Sequence, residues 1–236
     1  MMAVSVNEYP LKGDVGRPAR KVQGIEVSVF LFLIVPSLAT SFLISDHVHM
    51  RFMTVAILSI INDMALVALV GYFVWRNGEP LEDLGWTRKN LQREIILGLV
   101  LFLPIYFFAN LLASVLHLAG LSAPAKPPSF LLAAGLSRMA LAFLLTTVVA
   151  IAEETIFRGY LILRIQAVTG RAAAAVLLSS FIFSLGHGYE GMAGVISVFT
   201  LGIIFAVVYL WRHSLVAPAV VHFLIDFTAI LVVPKL

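Results

Sequence analysis

The chain has 236 residues, 61% of them hydrophobic and 12% charged, with a mean hydropathy of +1.00, a net charge of +3 and no cysteine. Soluble domains carry about 45–50% apolar and about 25% charged residues, so a soluble globular class is excluded and a membrane class is indicated. The lack of cysteine excludes disulfides, thiolate metal sites and cysteine nucleophiles, and basic residues that fall between oily segments report topology rather than nucleic-acid binding.

Residues 1–22 include Lys12, Arg17, Arg20 and Lys21 but lack the apolar core of a cleavable signal. They read as a retained, disordered cytoplasmic tail, followed by a single membrane-embedded domain over 23–236. Apolar stretches occur at 25–45, 53–75, 95–119, 136–157, 172–189, 192–211 and 214–233. Each approaches the roughly 20 residues that cross about 30 Å of hydrocarbon as a helix. The expected fold is all-α, a polytopic transmembrane helix bundle of about seven spans with a buried polar cavity. The last three stretches are short and closely joined, which leaves a broken or re-entrant element open.

Between the second and third stretches, RNGEPLEDLGWTRKNLQRE mixes charges with Leu81, Leu84, Trp86 and Leu91, the pattern of a short interfacial helix on the cytoplasmic side. After the third, GLSAPAKPPSF is a proline-rich loop. With the N-terminus inside, twelve Lys and Arg fall on the inner side, Arg158 and Arg164 among them, and four on the outer side, Arg51, Lys126, Arg138 and Lys235. This bias places the N-terminus in the cytoplasm and, with seven spans, the C-terminus outside.

The fourth stretch holds VVAIAEETIFRGYLIL. Glu154 and Arg158 stand at i and i+4 with the acid first, the favoured order for a helical ion pair, and read as structural. Glu153 lies about 100° around the helix and lacks that partner. An acid inside a membrane without a local counter-charge is a functional candidate. Partners for it occur downstream: His187, four residues after Phe183 in FSLGHGYEG, and His222 with Asp226 on one face of VVHFLIDF. A turn at Thr169–Gly170 would set Glu153 and His187 at equal depth, about 25 Å from the turn at 1.5 Å per residue. His222 lies about 13 Å beyond the turn at His213, so that hairpin must protrude by about another 10 Å for all three to meet. Asn62, Asp63, Asn110 and His117 read as interhelical hydrogen-bonding or core groups, and Tyr189 and Glu190 as a solvated loop. The glycines near His187 serve close packing and turns; no strand precedes them and no Lys-Ser/Thr follows, so they are not a phosphate cradle.

In chain order, EETIFR fits Glu-Glu-x-x-x-Arg, FSLGH fits Phe-x-x-x-His and HFLID fits His-x-x-x-Asn/Asp. Together, over a core of about 136–233, they resemble the CAAX protease and bacteriocin-processing (Abi) family, related to the type II CAAX prenyl endopeptidase; LEDLGWTRKN resembles the amphipathic segment often found upstream. The resemblance implies an intramembrane endopeptidase whose catalytic cavity opens toward the cytoplasm. Carried over by position, Glu153 would be the general base and His187 its partner in holding and activating water. His222 would stabilise the oxyanion with help from Asp226, Arg158 would hold Glu154, and Phe183 would complete the surroundings. Oxyanion donors typically contribute about 3–4 kcal/mol.

The departure is Asp226, where asparagine is the commoner occupant. An ionised aspartate repels an oxyanion, so Asp226 is either protonated or acts through His222. Glu153, His187 and His222 are also acceptable zinc ligands by element, although no HExxH is present. The favoured reading has no metal or cofactor, and a zinc-dependent protease is the alternative. The implied partners are the lipid bilayer and a peptide or protein substrate, lipidated or membrane-embedded, with no nucleic acid and an open oligomeric state. A prokaryotic inner membrane is the expected location, where a precursor peptide or bacteriocin leader suits better than a prenylated protein. Two other classes stand beside these: a proton-coupled transporter, for which no inverted repeat is found, and a non-catalytic immunity or scaffold protein of the same fold.

Overall fold

The computed structural model describes residues 18–43, 51–121 and 135–232. Most of the expected tail, most of the proline-rich loop, and Lys126 and Lys235 lie outside the described residues. Helices α1 (Arg20–Ser41), α2 (Phe52–Arg76) and α3 (Leu91–Leu118) come first. They are followed by α4 (Leu136–Thr169), α5 (Ala172–Leu185), α6 (Gly191–Arg212) and α7 (Val216–Val232). No strand occurs among the described residues. The backbone must satisfy its own hydrogen bonds in hydrocarbon, and a helix does so within one segment. Accordingly the outer surface is apolar, with Phe32, Phe107, Leu111 and Leu118 among its exposed side chains.

Helices α1 to α4 and the segment Gly188–Arg212 are long and apolar enough to cross a membrane. Helices α5, with 14 residues, and α7, with 17, reach about 21 and about 25 Å, less than the roughly 30 Å of a hydrocarbon core. The expected seven spans therefore resolve into five full-length helices and two short ones. Helix α1 begins at Arg20, so the end of the segment expected as tail is helical.

Helix α4 outruns its expected end because Arg158 and Arg164 are interior side chains, 1% and 0% exposed. Both were counted as inner-loop cations, and neither carries topological weight. Arg164 Nε lies 3.2 Å from Glu26 of α1, and its guanidinium also grips Glu79, just past α2. Glu26 further accepts from Arg76 at 2.7 Å and Asn77 at 2.8 Å. This network joins α1, the end of α2 and α4, beside the ring contacts of Tyr160 with Phe30 and Phe73.

Within α4, Glu154–Leu161 winds as a wide π-type turn, and all eight of its residues are buried. Such turns gather at functional sites. Neighbours fill the widened backbone: Ser179 of α5 donates to the Phe157 carbonyl, and Trp86 Nε1 donates to Thr155 Oγ1 at 2.9 Å.

The expected interfacial helix is reduced to one 3₁₀ turn, Leu81–Leu84, ended by Gly85 at φ +98°. Leu84 points inward, 1% exposed, because the segment packs onto the wide turn. A Cβ at Gly159 would stand 2.8 Å from the Leu84 carbonyl oxygen. The Leu215 N–H, just before α7, donates to the Gly85 carbonyl at 3.0 Å.

Candidate active site

His222 is the centre of the polar cluster. It sits on α7, 4% exposed, and its two ring nitrogens face different carboxylates. Nδ1 lies 2.9 Å from Glu154 Oε1, while Nε2 lies 3.4 Å from both Glu153 Oε2 and Asp226 Oδ2. Adjacent acids on α4 point in different directions, as the 100° step requires, and the histidine spans the gap. Asp226 reaches it by the i, i+4 relation on α7.

Glu154 is fully buried, and Arg158 Nη1 approaches its Oε1 at 3.1 Å. The expected pair is present, but Glu154 does more than hold Arg158, since it contacts His222 directly. Phe183 of α5 packs between the charged groups. The Arg158 guanidinium lies 4.2 Å from its ring centre, and the rings of His187 and His222 stand at 5.1 and 5.9 Å. Such a cation-π contact is worth about 2 kcal/mol or more when desolvated. Phe205 of α6 flanks both Arg158 and His222.

His187 stands just past α5, with Nδ1 3.3 Å from the Phe183 carbonyl oxygen. It lies near enough to Glu153 to act on its charge, but His222 makes the close approach. The cluster is sealed at Glu154 and open at Glu153 and Asp226, whose side chains are 22% and 34% exposed. Among the described residues Glu153 Oε2 and Glu154 Oε2 have no hydrogen-bond partner.

Three further residues border this cluster. On α2, Ala56, Ile60, Val67, Val70 and Val74 alternate at spacings of four and three and pack into the bundle; Asp63 occupies the position between Ile60 and Val67 on the same stripe. It lies within electrostatic reach of Glu153 and His222. The signal was legible as a charged residue interrupting a heptad stripe. Tyr189 and Glu190 are half-buried and lie within electrostatic reach of Asp226, with Glu190 folded against Gly194, so the loop expected to be solvated borders the site instead.

The zinc reading requires three converging donors. Among the described residues no three His, Asp or Glu side chains are arranged to hold a metal ion.

Residues 135–228 match the family model described as type II CAAX prenyl endopeptidase Rce1-like. Over this segment, less than half of the chain, the protein is similar to that family. Comparison with curated proteins and with solved structures returned no match. The matched segment is thus similar to a type II CAAX prenyl endopeptidase domain. It contains Glu153, Glu154, Arg158, Phe183, His187, His222 and Asp226. Helices α1 to α3 lie outside it, yet Glu26, Glu79 and Trp86 fasten onto α4 within it.

Proposed function

We propose that the protein is an intramembrane endopeptidase that hydrolyses a peptide bond with water activated by its own side chains. The observation that supports this reading most directly is His222, held by Glu154 on one nitrogen and facing Glu153 and Asp226 with the other.

In this mechanism Glu153 takes a proton from a water placed between it and His187. The resulting hydroxide attacks the scissile carbonyl. His222, protonated on both nitrogens, donates Nδ1–H to Glu154 and Nε2–H to the oxyanion. Glu153 then returns its proton to the leaving amine as the C–N bond breaks. Arg158 balances Glu154 and keeps the paired acids from repelling each other. Asp226 orients His222 and supports its charge. The substrate is a peptide or protein segment at the membrane, reaching the open side of the cluster at Glu153 and Asp226. A cytoplasmic N-terminus is supported by the cations Arg76, Arg88, Lys89, Arg93 and Arg212 beside the end of α2, the start of α3 and the end of α6, and a prokaryotic inner membrane is part of the same reading.

The test is cleavage of a quenched-fluorescent peptide library by purified protein in detergent, using wild type, Glu153→Ala, His187→Ala and His222→Ala, each with and without a strong chelator. Cleavage lost in the folded variants but unaffected by chelator is the expected result. Folded Glu153→Ala with wild-type cleavage overturns the assignment, and loss on chelation with rescue by zinc overturns the metal-free mechanism.

A further inference from the structure

A groove of about 540 Å³, lined by no residue of the peptidase cluster, lies at the end of the bundle where α2 ends and α3 and α7 begin. Leu81, Trp86, Leu91 and Val216 form its apolar lining, with Glu82 and Arg88 among its polar residues. Leu81 is 57% and Leu91 46% exposed. At the ends of membrane spans this is headgroup depth.

The neighbouring cations are the second observation. Arg76, Arg158, Arg164 and Arg212 are each paired with a carboxylate. Arg88, Lys89 and Arg93 are exposed and have no such partner among the described residues. Positive charge is thus left unpaired at one rim of an apolar groove.

We propose that this groove binds one anionic phospholipid, its phosphate on Arg88 and Lys89 and an acyl chain along Leu81, Trp86, Leu91 and Val216. Basic residues beside the ends of spans attract anionic headgroups, and the groove supplies what a bare patch lacks, a slot for the tail. The bound lipid would also steady the segment that meets α4. Trp86 donates to Thr155 next to Glu154, and Gly85 accepts from Leu215 at the head of α7. The lipid site stands on the groove and its charges and does not depend on the peptidase reading.

The chain has three tryptophans, so Trp75→Phe/Trp211→Phe leaves Trp86 as the sole reporter. This protein is reconstituted in phosphatidylcholine vesicles containing equal mole fractions of brominated phosphatidylglycerol or brominated phosphatidylcholine, and quenching of Trp86 is measured. The anionic lipid is expected to quench more strongly. Its relative association constant should fall roughly fivefold for each cation removed, in Arg88→Gln and again in Arg88→Gln/Lys89→Gln. Equal quenching by the two lipids, or a preference unchanged in the double variant, overturns the proposal. Loss of the preference on adding soluble glycerol phosphate also overturns it, by identifying a site for free phosphate instead.

Discussion

Replacing Arg164 with methionine tests whether the buried ion network is what fastens α1 and the end of α2 to the acid-bearing helix. Arg164 is 0% exposed and holds both Glu26, at 3.2 Å, and Glu79. Glu26 would keep Arg76 at 2.7 Å and Asn77 at 2.8 Å. Glu79, whose side chain is 4% exposed, would keep only a 3.5 Å contact with Asn77. Breaking a buried pair by removing one partner costs about 3–5 kcal/mol, because the other charge is left uncompensated. For a chain of this size that corresponds to a fall in Tm of roughly 6–20 °C. The assay is thermal unfolding of purified protein in one detergent. Arg164→Met/Glu79→Gln should recover part of the loss, since replacing both members of a buried pair is often near neutral, and the two changes should be strongly non-additive. A Tm for Arg164→Met close to wild type, or a double variant no better than the single, refutes the reasoning.

Four further outcomes are expected. Gly159→Ala forces a Cβ against the Leu84 carbonyl oxygen at 2.8 Å and should cost about 1–3 kcal/mol in the same unfolding assay. Thr155→Val leaves the Trp86 N–H without its acceptor and should cost about 1–3 kcal/mol, more than Trp86→Phe at the same pair if packing is kept. His222→Ala should lower kcat by roughly a hundred- to a thousandfold in the peptide assay, the range for removing an oxyanion donor. Asp226→Asn keeps a polar group 3.4 Å from His222 and should retain cleavage, whereas Asp226→Leu should lose it.

Motif spacing makes the polar centre legible in the sequence. The i, i+4 rule paired Glu154 with Arg158 and Asp226 with His222, and both pairs are present. Equal counts from Gly170 brought Glu153 and His187 into one neighbourhood. What spacing could not supply was rotation. A regular helix was assumed through 154–161, and the wide turn there changes which neighbours each side chain meets. The direct contact of Glu154 with His222 was missed for this reason. Charge was also misread as exposure: Arg164 looked like a loop cation because its carboxylate partners, Glu26 of α1 and Glu79 just past α2, are distant in sequence. Leu84 was assigned to the bilayer interface because no local pattern records that Gly159 leaves room for a loop to dock.

On a regular α-helix positions 153 and 164, eleven residues apart, would fall within about 20° of each other around the axis. The wide turn between them absorbs about one additional residue and swings the lower half by about 100°. Helix α4 therefore presents its acids to α7 and, three turns on, its arginine to α1. One continuous rod serves two neighbours on different sides, as a crankshaft carries throws at different angles. A one-codon deletion inside 154–161 should accordingly restore a regular helix there while leaving both ends facing the same partners.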